Sequence, residues 1–248
     1  MKLLKKVLAT VALAAAAATS AQASTINVGG VVWDPDAALD FSGTTATLSQ
    51  FINPVTGVLS GYGVLTTING TGSATFCPGC ELTVEYGGYT PIGGALIPNP
   101  AGFGTQIFYS GGFVKVYVDK TPNANPADPL ALTAATATDG DLWLELAGHA
   151  INGVTLTGFN FLPSFLLGQG LWDVVGGLAQ GNLDTNTMED GADLSFTNSF
   201  TKFFPTGSPL ISTGTGNFAG NSIPEPGSLL LLSLGLLAIA SARRRKSS

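Results

Sequence analysis

Histidine, cysteine and basic residues are scarce in this chain of 248 residues, which has one His, two Cys and ten Lys and Arg together. Each scarcity closes off a class of chemistry. A zinc centre on Cys77 and Cys80 needs two more ligands, and His149, the one histidine, lies far along the chain. As a general base His149 has no nucleophile in a recognisable setting, because no Gly-x-Ser-x-Gly elbow occurs. Seven of the ten basic residues are Lys2, Lys5, Lys6 and Arg243 to Lys246, leaving Lys115, Lys120 and Lys202 between Ser24 and Ser222. Fifteen of the sixteen Asp and Glu lie in that span and give it a formal charge of −12. Such a field disfavours nucleic acid and anionic phosphates and favours divalent cations and basic partners. The span also has no long stretch with an apolar period of 3.6 residues, which argues against a helical body.

Long uncharged runs are confined to the two ends. Lys2, Lys5 and Lys6 precede an apolar run from Val7 to Ala18, and Ala21-Gln22-Ala23 follows. This order predicts a secretory signal peptide over residues 1–23, with cleavage set by Ala21 and Ala23. Its run of 12 residues is short of the roughly 20 that a spanning helix needs. At the other end Gly227 to Ala242 is uncharged for 16 residues, a helix of about 24 Å against a hydrocarbon core of about 30 Å. It spans only where the bilayer thins or the flanks are drawn in. Arg243, Arg244, Arg245 and Lys246 follow, and such clusters stay cytoplasmic. The expected geometry is a body outside, transiently held by a C-terminal transmembrane helix, with a basic stop inside.

Pro224-Glu225-Pro226 stands just before that run. Proline fixes φ, lacks an N–H and disfavours helix at the preceding residue, so Glu225 is held extended and accessible to a protease. Pro224, Glu225, Pro226 and Ser228, an apolar helix containing Gly235, and Arg243, Arg244 and Arg245 together resemble the PEP-CTERM sorting signal of Gram-negative bacteria. The resemblance covers residues 223–248. It implies recognition by a membrane-embedded exosortase, cleavage near the Pro-Glu-Pro motif and transfer of the body to the cell surface and extracellular matrix. In that family such systems accompany exopolysaccharide, biofilm and floc formation. The Gly- and Thr-rich texture and the stretch from Asp184-Thr185-Asn186 to Phe200 loosely resemble flocculation-associated members.

Between the ends, Gly, Thr, Val, Leu and Phe are abundant, with 25 Thr from Ser24 to Ser222, a balance that suits strands and tight turns. The expected fold is all-β, an antiparallel sandwich or jelly-roll-like domain over residues 24–205. From Asp139 to Leu146, acids and Trp143 alternate with leucines, which places Asp141, Trp143 and Glu145 outside and Leu142, Leu144 and Leu146 inside. Val114, Val116 and Val118 alternate with Phe113, Lys115 and Tyr117, and Asn152-Gly153 predicts a tight turn. Further strands are expected at 46–52, 57–68, 80–89, 104–109, 171–179 and 192–200. Four glycines between Leu162 and Leu178 argue against a helix there. Residues 206–222, with Gly207, Gly214, Gly216 and Gly220, read as a flexible linker to the sorting signal.

Candidate chemistry in the body is thin. Cys77-Pro78-Gly79-Cys80 reads as a redox motif, half a zinc site or a local disulfide, and a disulfide across the Pro-Gly turn suits an exported protein. Glu81 with Glu85, and Asp141 with Glu145, are about 13 Å apart along a strand, too far for glycosidase chemistry within one strand. Hard oxygens gather at Asp119, Asn123, Asn125 and Asp128, and again at Asp184, Asn186 and Asp190, as calcium prefers, but without EF-hand spacing. Trp33, Trp143 and Trp172 are candidates for a sugar-stacking face. The expected function is a non-enzymatic structural or adhesive role with exopolysaccharide, with Ca2+ as the candidate cross-linking cation; the alternative is a secreted carbohydrate-active enzyme.

Overall fold

The computed structural model describes residues 25–37, 40–93, 105–128, 130–162, 165–203 and 210–223. A small hairpin comes first, β1 (Ile26–Val28) and β2 (Val31–Trp33), turned at Gly29-Gly30 with both φ positive, as a tight hairpin turn demands. The main sheet is built from β3 (Phe41–Ile52), β4 (Leu59–Ile68), β6 (Glu81–Pro91), β7 (Thr105–Asp119), β8 (Asp141–Gly148), β9 (Leu156–Leu162), β10 (Phe165–Gly176), β11 (Leu194–Phe203) and β12 (Leu210–Gly220). A two-residue β5 (Thr71–Gly72) pairs with β4. Short helices α1 (Ser73–Phe76), α2 (Ala134–Ala137) and α3 (Gln180–Leu183) sit in the connections.

Apart from β8 and β9, which share one position, each long strand of the main sheet pairs antiparallel with the next, and the last returns to the first. The circuit runs β3, β4, β6, β7, then β8 and β9 sharing one position, then β10, β11 and β12, which pairs back onto β3. β8 lies against the C-terminal halves of β7 and β10, and β9 against their N-terminal halves. Eight strand positions therefore close into an up-and-down barrel, which leaves no open sheet edge. The all-β, antiparallel expectation holds. The sandwich or jelly-roll expectation is corrected: among the described residues the long strands follow one another around a single closed circuit, with β8 and β9 in one position, rather than dividing between two packed sheets.

Period-2 alternation fills the interior. Leu82 and Val84 of β6, Val114, Val116 and Val118 of β7, and Leu144 and Leu146 of β8 are all buried, while Lys115 and Tyr117 point outward and are half-buried. Asn152 and Gly153 both take positive φ in a turn closed by the Ile151–Val154 bridge. Bulky residues lie across from inward glycines, as a barrel's taper requires. A Cβ at Gly61 would strike Ser49 O and the Tyr86 hydroxyl, and one at Gly170 would stand 2.7 Å from the Phe196 ring.

Two expectations fail for identifiable reasons. Trp143 is fully buried rather than outward, because the β7–β8 register shifts between Val116 and Tyr117: Val116 pairs with Leu144 and Tyr117 with Leu142. The residue left over is Trp143, and the bulge turns its indole inward. There it donates to Val28 O at 3.0 Å and meets Trp33 edge-on at 5.9 Å. With Phe41, also against Trp33, these rings plug one end of the barrel beneath the β1–β2 hairpin.

The second failure is the expected linker at 206–222, because residues 210–220 form the closing strand. β12 pairs with β11 from Leu194–Gly220 to Phe203–Ile211 and with β3 from Phe41–Gly220 to Ile52–Leu210. Its glycines mark close packing: a Cβ at Gly214 would meet Phe200 at 2.7 Å and one at Gly216 would meet Leu48 at 2.8 Å. The β structure of the body therefore runs to residue 220, beyond the expected boundary at 205.

Gly214→Val is expected to destabilise the barrel by about 1–3 kcal/mol through overpacking, whereas exposed Thr215→Val should stay within about 0.5 kcal/mol. Urea unfolding followed by tryptophan fluorescence measures both. Equal effects would contradict the assignment of Gly214 to the interior.

Candidate functional site

The connections divide the barrel into two unlike ends. At the plugged end lie residues 34–40, 69–80, 120–140 and 177–193. All fifteen carboxylates of the body except Glu85, Glu145 and Asp173 fall in these connections or on the strand residues beside them. The strand ends at the opposite end are joined in sequence through 53–58, 92–104, 163–164 and 204–209, and none of these stretches contains a charged residue.

At the acidic end, the residues expected to bind calcium mostly organise their own loops. Asp119 Oδ1 accepts from Thr121 N at 2.9 Å and Thr121 Oγ1 at 2.8 Å. Asn125 Oδ1 accepts from Ala127 N, and Asp128 Oδ1 from Leu130 N. Asn123 is turned toward other acids: its backbone N–H donates to Glu81 at 2.7 Å and its Nδ2 to Asp139 at 2.7 Å. In the second loop Asn186 Nδ2 donates to Asp184 Oδ1, and Asp190 turns away toward His149. Among the described residues no group of three or more His, Cys, Asp or Glu is placed to hold a metal ion.

Two carboxylates with no distinguishing sequence context organise these loops instead. Asp193 is 2 % exposed and accepts from Val174 N at 2.7 Å and from Thr185 N and Asn186 N at 2.6 Å. Glu81 accepts from Asn123 N and Ala124 N. A buried carboxylate is tolerated where backbone N–H groups solvate it, as they do here. Neither role is visible in the sequence, because each partner is a backbone amide brought close by the fold.

His149 follows β8, and its Nδ1 lies 2.7 Å from Asp173 Oδ1 while Nε2 lies 3.6 Å from Asp190 Oδ2. Burial acts to lower its pKa, but the two carboxylates outweigh burial and raise it above the usual histidine value. The ring borders an outer groove of about 550 Å3 that also takes in Phe108, Ile151, Gln169 and Glu189. His149 thus ties β8 to β10 and to the 184–193 loop.

The interior offers little chemistry. A cavity of about 100 Å3 is lined mainly by apolar side chains with Tyr89, Tyr109 and Trp172. Tyr89 Oη accepts from Trp172 Nε1 at 2.9 Å, and burial pushes the Tyr89 phenol up and that of Tyr109 up to about 12, so both stay protonated hydroxyls. All three tryptophans are buried, which corrects the expectation of a tryptophan sugar platform. On the convex outer face Glu85 and Glu145 flank Lys115 on adjacent strands, with Lys115 Nζ 3.3 Å from Glu145. Half-exposed pairs of this kind contribute at most about 1 kcal/mol. Cys77 and Cys80 are joined in a disulfide, Cα atoms 5.1 Å apart, across the Pro78-Gly79 turn that follows α1.

After β12 the chain does not leave the barrel at once. Ser222 is buried, Ile223 N donates to Asn182 O at 2.8 Å, and Asn182 Nδ2 donates to Ile223 O at 3.1 Å. Pro224, Glu225, Pro226, Ser228, Arg243, Arg244 and Arg245, like Ala21 and Ala23, lie outside the described residues, as do the expected signal and transmembrane helices. No helix among the described residues is long and apolar enough to cross a membrane.

The folded body is thus a closed antiparallel barrel, acidic at the end from which the C-terminal segment departs. A family model described as the PEP-CTERM protein-sorting motif matches residues 222–246. The chain carries a PEP-CTERM sorting signal, which is recognised by exosortase and implies exosortase-dependent export to the cell surface. No curated protein and no solved structure matches the chain.

Because the folded-state pKa of His149 is raised, its contribution to stability is fully present below the unfolded value of about 6.5 and fades as pH rises through the folded value. The gap in unfolding midpoint between wild type and His149→Gln is therefore expected to shrink as pH rises above about 6.5. A gap that does not change as pH is raised from below that value would contradict the two-carboxylate arrangement.

Proposed function

We propose that this chain is an exported matrix protein of a Gram-negative bacterium, with a non-enzymatic structural or adhesive role alongside exopolysaccharide. The observation that carries the reading is the PEP-CTERM sorting motif at 222–246, which begins on the last anchored residues of the barrel. In this reading residues 1–23 direct export and are removed, the uncharged run after Pro226 holds the chain in the inner membrane, and cleavage near Pro224-Glu225-Pro226 transfers the barrel outward. The acidic loops then meet matrix polysaccharide, bridged by divalent cations such as Ca2+, which suits a surface rich in carboxylates and short of cations. An uncharged opposite end leaves one end of each barrel dedicated to that electrostatic contact.

The sorting step is tested by replacing Pro224, Glu225 and Pro226 with alanine and following the body by cell fractionation. Retention in the membrane fraction is expected, and unchanged release to the surface or medium would sink the reading. For the matrix role, deleting the coding sequence is expected to weaken floc or biofilm cohesion, and restoring it should rescue the defect. Intact cohesion in the deletion strain would count against the role. Retention of the purified body on acidic polysaccharide should rise with added calcium and fall with chelator. Calcium-independent retention would rule out cation bridging.

A further inference from the structure

Ile223 is the last residue before the Pro-Glu-Pro motif, and it is fastened to the barrel through both its N–H and its carbonyl, each bonded to Asn182 of α3. Two residues earlier, Asn221 Nδ2 donates to Thr187 Oγ1 at 2.8 Å. Both attachments land on α3 and the loop after it, which Asp193 and Asn186 hold in shape. No free chain separates this anchorage from Pro224. Fully extended, the three motif residues reach at most about 10 Å from Ile223. A peptidase gripping Glu225 in an extended conformation therefore meets the barrel surface around Asn182.

That surface is open to a partner. Gln180, Gly181, Asp184 and Glu189 are exposed, Ile223 is 47 % exposed beside them, and a Cβ at Gly181 would find no atom within 4 Å. We propose that α3 and the 184–193 loop form a docking surface for the exosortase, so that the enzyme reads the motif together with the folded barrel. This rests on the sorting reading above. The short reach of chain beyond Ile223 selects the occupant, because the enzyme acting on the motif must come within that distance. The acidic residues Asp184 and Glu189 fit a partner face that presents basic groups or N–H donors.

The full chain, expressed with its exosortase in the native host, is followed by pulse labelling as precursor converts to processed body. Gly181→Arg places bulk and charge beside the anchorage without meeting a neighbour, and conversion is expected to slow roughly tenfold. Val55→Arg, at the uncharged end and 79 % exposed in the wild type, should convert at the wild-type rate. Wild-type conversion of Gly181→Arg overturns the proposal. Should Gly181→Arg lower the unfolding midpoint, a flexible Gly/Ser insertion of about ten residues between Ile223 and Pro224 decides instead. Slower conversion supports docking, while unchanged or faster conversion overturns it. The alanine replacement of Pro224-Glu225-Pro226 separates the two levels. If that variant is still processed, the sorting reading fails. If it stalls while Gly181→Arg converts normally, only the docking proposal fails.

Discussion

The closure of the sheet by β12 is the constraint on which the rest of the structure depends. Without it β11 and β3 would each present a row of unpaired N–H and C=O groups, an invitation to association between chains. With it, Gly214 and Gly216 admit Phe200 and Leu48, and Ser212 donates to Gln50 within the barrel wall. The strand that completes the fold is also the last strand of the body, so the barrel cannot close until residue 220 is available. Only residues 221–223, themselves anchored to the barrel, separate the closing strand from Pro224-Glu225-Pro226.

The two ends of the barrel carry different physics. One is plugged by Trp33, Phe41 and Trp143, roofed by the β1–β2 hairpin, and lined by loops whose backbone amides solvate Glu81 and Asp193. The other has uncharged connections, and Val55 and Ile92 stand exposed there. Carboxylates crowded at one end repel one another, and the cost is moderated because several accept backbone hydrogen bonds. Anchorage of Ile223 at the acidic end means that the sorting signal leaves from the face where charge is concentrated.

Much of this was legible in the sequence, for reasons that particular residues make plain. The valines of β7 alternate without interruption, so period and burial agree, and Asn152-Gly153 adopts the positive φ values that only such a pair takes readily. The sorting signal was legible because its parts are local and ordered along the chain. Trp143 was misplaced because one extra residue in β8 breaks the alternation at the bulge, and no local signal marks it. The closing strand was mistaken for a linker because Gly and Thr alternation looks the same in a flexible tail and in a strand whose inward positions must stay small. Asn182 and Ile223 are 41 residues apart, and their contact exists only once the barrel has formed. A single closed barrel rather than two sheets is likewise a property of strand order, which alternation does not encode.

The most direct test is amide hydrogen exchange across residues 210–220 of the folded body. A closing strand predicts protection of the β12 amides bonded to β11 and β3 comparable to that of the ladder amides of β3 and β4, with one shared opening free energy for the barrel. Exchange at the rate of an unstructured chain, with β3 and β4 still protected, would show that these residues are a tether after all and would contradict the closed barrel.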